Sequence, residues 1–235
     1  VPGEWWNNVG LCWAFATLTS FESSLLRQGI VTNANAKEAN LSPWYLGCYV
    51  GHNHPNYEFN HTMLGSPPVP VSYALDATLK SGWGGSPLFT IDYLSSGRGL
   101  VLEWQAPLPL AEMKARETLS PPYADLPMHY MLRMGVVYER EDYTSDEEFR
   151  KVIRAAVMEY GAVASFMHLG SADMPGQAGH SYWRDENHTE YYCDDDELVN
   201  QLGHMVAIIG WDEGKSITGA PGPGARRRRL GPAAR

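Results

Sequence analysis

The 235-residue sequence lacks a long apolar run: no stretch approaches the ~20 consecutive apolar residues that a membrane-spanning helix needs. Hydrophobic residues nevertheless make up 44% of the chain, which is enough to form the core of one large domain or of two small ones that share an interface. We therefore expect a soluble globular protein that does not insert into a membrane.

Positive charge is also scarce, because 27 acidic residues outweigh 18 lysines and arginines and leave a formal net charge of -9. Neutralising a phosphate backbone needs clustered Lys and Arg, so we expect no nucleic-acid partner. The one basic cluster, residues 226–229, lies in a Gly/Pro/Ala-rich segment without apolar periodicity. We predict that this tail, residues 213–235, is disordered and represents a truncated or frame-disrupted end.

Cysteines are few, and their number, three, is odd. Cys48 and Cys193 could pair in an oxidising compartment, but spacing alone cannot place them within bonding distance, and we expect free thiols. No pair of Cys or His residues has zinc-ligand spacing backed by a second pair. We therefore predict no metal site and no cofactor.

An apolar, helix-forming segment begins at Cys12. Phe15, Leu18 and Leu25 follow at helical spacing, and Gly29 stands where a C-terminal cap belongs, so we predict a helix over about residues 12–28. A cysteine at a helix N-terminus is close to unpaired N–H groups and to the positive end of the helix dipole, which favour the nucleophilic thiolate. Cys12 is therefore a candidate nucleophile, with a small buried apolar residue as the alternative.

Among eight histidines, His204 is the candidate general base. It begins an apolar segment, residues 204–211, that predicts a strand buried on both faces, and such a strand would hold the imidazole rigidly. His168, His180 and His188 compete for the same role, and a core histidine satisfied by backbone groups is the other alternative.

Helix signals dominate the first half of the chain and strand signals the second. A proline-rich crossing segment from residue 105 to 127 separates the halves. We therefore predict an α+β fold with a helical subdomain over residues 1–105 and a β-rich subdomain over residues 106–212. The other predicted elements are helices over residues 43–50, 71–81 and 86–97, strands over residues 134–140 and 162–168, and a helix opened by a capping box at Ser145 and closed at Gly161.

Several segments, in order along the chain, resemble the papain-like cysteine peptidases. The family reads Cys-Gly-Ser-Cys-Trp around its nucleophile, where residues 9–13 read Val-Gly-Leu-Cys-Trp. Residues 82–85, Gly-Trp-Gly-Gly, match the glycine pair whose backbone lines the family's substrate cleft. Residues 40–48 are similar to the segment that opens the second helix, residues 159–163 to the helix-to-strand step before the histidine strand, and residues 99–103 to a bacterial branch often found with a lectin-like domain.

This resemblance implies a papain-like fold, in which a helical left and a β-rich right subdomain enclose the active-site cleft. It also implies a cysteine-type endopeptidase that hydrolyses peptide or protein substrates, with Cys12 and His204 as a thiolate–imidazolium pair. Gly84 and Gly85 would bind the substrate through their backbone groups. We expect a monomer located outside the cytoplasm, either secreted, periplasmic or at the cell surface.

Two positions depart from the family pattern. The glutamine that stabilises the oxyanion is Trp6 here, and Asn7 offers the nearest side-chain amide. The Asn-Ser-Trp-Gly segment whose asparagine orients the imidazole has no counterpart, since no asparagine follows Asn200. Loss of one oxyanion donor lowers turnover by about 10²–10³.

These departures leave two alternatives to an active peptidase. The first is a pseudo-peptidase, weak or inactive, that retains the cleft as a peptide-binding module. The second is another Cys–His acyl-transfer enzyme, such as an amidase or transferase, which would leave peptides uncut. Labelling of Cys12 by an epoxide-type thiol inhibitor argues against the first, and cleavage of a peptide argues against the second.

Overall fold

The computed structural model describes residues 11–49, 87–95, 97–111, 126–132, 134–168, 190–192 and 203–215. Helices and small sheets are both present there, so the chain is a mixed α+β protein, which confirms the prediction at this coarse level. The helices are α1 (Cys12–Arg27), α2 (Pro43–Tyr49), α3 (Pro87–Ser95) and α4 (Asp146–Tyr160), with 3-10 turns at Asn33–Ala39 and Arg140–Asp142; the strands are β1 (Gly99–Leu100), β2 (Tyr130–Met131), β3 (Val163–His168) and β4 (Gly203–Ile208).

The strands form two separate two-stranded sheets. β1 pairs antiparallel with β2, with Gly99 opposite Met131 and Leu100 opposite Tyr130. β3 pairs with β4, which brings residues from before and after the 169–202 segment together.

The chain divides into two compact units. The first comprises Val1–Met167 and His204–Gly210, and the second His168–Gly203 and Trp211–Arg235. The first unit therefore contains α1 to α4 and most of the β3–β4 pair. The subdomain boundary expected after residue 105 stays a prediction, and of the proposed tail only residues 213–215 are described.

The main core of the first unit surrounds α1. One apolar cluster, here called the α1 cluster, joins side chains of α1, α2, α3, the segment after β1 and β4. Each large apolar side chain buried in such a cluster stabilises the fold by about 1.5–3 kcal/mol. The buried α1 members are Trp13, Ala14, Ala16 and Leu18. At 3.6 residues per turn these positions cover more than half of the helix circumference, so α1 is enclosed by the cluster on several sides.

The helix boundaries in the first half follow the local signals in the sequence. α1 stops one residue before the predicted end, and Gly29 adopts the positive φ of 69° that ends many helices. Ser42 caps α2, since its hydroxyl accepts the Tyr45 N–H at 2.9 Å and donates to the Ala106 carbonyl at 2.5 Å. These two helices, and α3 with Gly97 beyond it, confirm the predictions, whereas the helix expected over residues 71–81 lies outside the described residues.

The capping box at α4 is present in a shifted form. The Ser145 hydroxyl accepts the Glu148 N–H at 3.1 Å, as predicted. The Glu148 carboxylate, however, accepts the backbone N–H and the hydroxyl of Thr144, at 2.9 and 2.6 Å. The reciprocal bond thus reaches one residue further back than in the standard box.

Two strand predictions need correction. Residues 134–139 form neither strand nor helix, and Met134, Val136 and Val137 are at least half exposed. Residues with strand propensity form a strand only when a neighbouring strand provides backbone hydrogen-bond partners. No such strand is present for this segment among the described residues. The segment predicted over 204–211 is the strand β4, but it ends at Ile208, and only Met205 is buried, so burial on both faces is wrong.

The described helices include none that is both long enough and apolar enough to cross a membrane.

Candidate functional site

Cys12 is the first residue of α1. Leu11, at the N-cap, provides no side-chain hydrogen bond to the helix, and the first turn contains no acidic residue. The Cys12 thiol is free and half-buried against the α1 cluster. The unpaired N–H groups and the positive end of the helix dipole therefore lie beside this residue without an opposing carboxylate in the same turn.

His204 is the second residue of β4 and is half-buried. Its burial lowers the pKa of the imidazole below the usual value, so the neutral form predominates at neutral pH. The next residue, Met205, is buried in the α1 cluster. The α1 cluster thus reaches from the start of α1 to the start of β4.

Other predicted site residues lie outside the described part of the chain. These are Asn7, Gly84 and Gly85, together with the competing histidines His180 and His188. His168 is the last residue of β3. Their roles in oxyanion stabilisation, substrate binding or catalysis stay predictions.

Helix α1 is hydrogen-bonded to the start of β3 at a single residue. The Ser20 hydroxyl donates to the Ala162 carbonyl at 2.7 Å, and the Ala162 N–H donates to the Ser23 hydroxyl at 2.8 Å. The Arg27 guanidinium adds a bond to the Met158 carbonyl at the end of α4. These contacts connect α1, which begins at Cys12, to the end of α4 and to the residue before the strand pair that contains His204.

Two partly buried carboxyl groups are absent from the sequence-based predictions, one on α1 and one in the segment after β1. The Glu22 carboxyl accepts the Leu41 N–H at 2.8 Å, and the Glu103 carboxyl accepts the Leu108 N–H at 3.0 Å. Burial, with a smaller contribution from Glu103, raises the pKa of Glu22 to about 7, and burial also raises the pKa of Glu103. The other Glu103 oxygen, Oε2, is buried and has no hydrogen-bond partner in the described structure. In the sequence, Glu22 follows Phe21 among the apolar residues of α1, and this position is the signal from which its burial could have been predicted.

Replacing Glu22 by glutamine should stabilise the protein at alkaline pH. The folded-state pKa of about 7 lies above the ordinary value of 4.5. The protonated carboxyl therefore favours the folded state fully below pH 4.5, and this contribution is lost as the pH rises to 7. Above pH 7, Glu22→Gln should increase the free energy of unfolding by about 2 kcal/mol, with little change at pH 4, as measured by urea denaturation.

The matched control is Glu38→Gln, which changes an exposed carboxylate and should show no comparable difference between pH 4 and pH 8. Equal stabilisation by Glu22→Gln at both pH values would contradict the titration, and a loss of stability at pH 8 would show that the ionised Glu22 is favoured in the fold.

Within the described residues, no group of three or more His, Cys, Asp or Glu side chains is placed to hold a metal ion. The chemistry available at Cys12 and His204 is nucleophilic and acid–base chemistry.

No protein-family model, curated protein or solved structure matches this chain. Function is therefore inferred from the residues and the geometry of the chain itself.

Proposed function

We propose that this protein is a papain-like cysteine peptidase, with Cys12 as nucleophile and His204 as general base. The observation that carries the proposal is the placement of Cys12 at the uncapped start of α1, a helix that is hydrogen-bonded through Ala162 to the strand pair containing His204. A helix N-terminus activates a thiol, and a histidine fixed on a strand is a suitable base. The proposal requires the Cys12 sulfur and a His204 ring nitrogen to approach within about 4 Å.

The reaction would begin with proton transfer from the Cys12 thiol to the neutral His204 imidazole. The thiolate attacks the carbonyl carbon of the scissile peptide, and the Cys12 backbone N–H, with an amide donor such as Asn7, stabilises the oxyanion. His204 then protonates the leaving amine, and water hydrolyses the thioester to release the acid.

The burial of His204 affects both halves of this cycle. Because burial lowers the imidazole pKa, the base is unprotonated and ready at neutral pH. The same burial disfavours the imidazolium that forms next, so the adjacent thiolate must offset the charge. Gly84 and Gly85 would pair with an extended substrate, since strand addition needs close approach of two backbones.

Labelling and turnover together test the proposal. An epoxide-type thiol inhibitor should modify Cys12 at neutral pH, as located by peptide mass spectrometry, and the chain should cleave a fluorogenic peptide. The Cys12 sulfur should react much faster than Cys48, which is buried and whose thiol pKa is raised by that burial.

Each other outcome has a distinct meaning. A chain in which Cys12 is not labelled and no peptide is cleaved supports the pseudo-peptidase, and labelling with cleavage of small amides alone supports another acyl-transfer enzyme. Equal labelling of Cys12 and Cys48 would contradict an activated thiol.

A further inference from the structure

Both backbone polar groups of Ala162 are bound by hydroxyls of α1. The residue is buried, and it is the one immediately before β3. Ser20 donates to its carbonyl oxygen, and Ser23 accepts from its N–H. A buried backbone group without a hydrogen-bond partner costs free energy. These two bonds therefore strongly favour one position of the residue before β3 relative to α1.

Gly161 allows this close seating. Its φ of 100° and ψ of -150° are almost restricted to glycine. A Cβ atom there would overlap the Ser23 Oγ and lie 3.0 Å from the Ser23 carbonyl carbon. The backbone of α4 and β3 therefore approaches α1 as closely as the absence of a side chain permits.

We propose that Ser20 and Ser23 are positioning residues that, through Ala162, set the nucleophile helix against the strand pair carrying His204. The proposal rests on the assignment of Cys12 and His204 above and adds the residues that align them. The two hydrogen bonds from Ser20 and Ser23 to Ala162 are here called the serine clasp.

The clasp can affect the distance between Cys12 and His204 because it is connected to Cys12 by a helix and to His204 by a pair of strands. Ser20 lies eight residues after Cys12 in the continuous helix α1, about 12 Å along its axis. Ala162 leads directly into β3, which is paired with β4 and so with His204. A shift of helix against strand at the clasp is transmitted to the spacing of sulfur and imidazole, and an error of about 1 Å there can cost 10²-fold in rate.

The variants Ser20→Ala and Ser23→Ala each remove one bond of the clasp. We expect each to lower kcat for a peptide substrate by roughly 10-fold to 10²-fold while KM changes less than about 3-fold. In the unmodified protein, a thiolate–imidazolium pair should keep Cys12 reactive toward iodoacetamide at acid pH, below the ordinary cysteine pKa of about 8.5. This acid limb of the pH–rate profile should be lost in each variant. Ser20→Thr keeps the donor and should restore both properties.

Ser24→Ala is the matched control, because it removes a hydroxyl of the same helix whose one side-chain partner in the described part of the chain is the exposed Gln28. It should leave kcat and the alkylation profile as in the unmodified protein. Circular dichroism at the assay temperature checks that each variant is folded. If Ser23→Ala does not fold, the kcat and the alkylation profile of Ser20→Ala test the proposal by themselves.

Four results would overturn the inference. Wild-type kcat and alkylation profiles in both clasp variants would show that the clasp only stabilises the fold. Equal losses in Ser24→Ala would show a general effect of weakening α1. An unmodified chain with neither an acid limb nor turnover would refute the proposed function itself and the inference with it, whereas an acid limb that depends on His204 but not on the serines refutes the inference alone.

Discussion

Replacing Cys12 by alanine should abolish peptide hydrolysis, because no other described group at the start of α1 can form the thioester. His204→Ala should lower kcat/KM by about 10⁴-fold or more, since the thiol then loses its base and the leaving amine its acid. The double variant should be no slower than the worse single one, because the two groups act as one unit. The measurement is steady-state cleavage of a fluorogenic peptide.

The control for this prediction is Cys48→Ala. Cys48 is buried in the α1 cluster and its thiol pKa is raised by burial, so its nucleophilic thiolate form is disfavoured. The variant should retain turnover wherever it folds. Hydrolysis that survives Cys12→Ala, or that requires His168 in place of His204, would refute the assigned pair.

Gly161→Ala should be among the most destabilising single substitutions in the described chain. The backbone conformation itself costs a residue with a side chain about 1–3 kcal/mol, and forcing a methyl group against Ser23 costs about 1–3 kcal/mol more. The total is a large part of the ~5–15 kcal/mol that stabilises a typical domain. Urea denaturation should show the midpoint lowered sharply or folding lost.

Gly29→Ala provides the matched comparison. Gly29 also has a positive φ, 69°, but a Cβ atom there would meet nothing within 4 Å. It should therefore cost only the backbone term, about 1–2 kcal/mol. Similar losses at the two glycines would show that close approach to Ser23 contributes little.

Helix boundaries were predictable because their causes are local. The apolar spacing after Cys12, the caps at Ser42 and Ser145 and the positive-φ glycines at 29 and 97 each act within a few residues of the chain. Such signals can be recognised in any sequence window that contains them. The assignment of Cys12 to a helix start follows from the same local information.

Strands were less predictable because their partners are distant. The segment 134–139 contains the strand-forming residues Val136 and Val137, yet it is mostly exposed and unpaired within the described structure. The strand β4 is predictable from its apolar run. That Met205 is its one buried residue depends on what packs against each face of the strand. Pairing and burial arise between segments and not within them.

By itself the sequence determined the mixed helix and strand content, the start of α1 at Cys12 and the strand that carries His204, because apolar periodicity and capping residues specify these locally. The tertiary structure alone decided that Ser20 and Ser23 bind the backbone of Ala162 and that Gly161 must lack a side chain. It also decided that Glu22 is partly buried and near Glu103, and its burial, with a smaller contribution from Glu103, raises the pKa of its carboxyl. Each of these depends on residues far apart in the chain, and only folding brings their atoms within bonding distance.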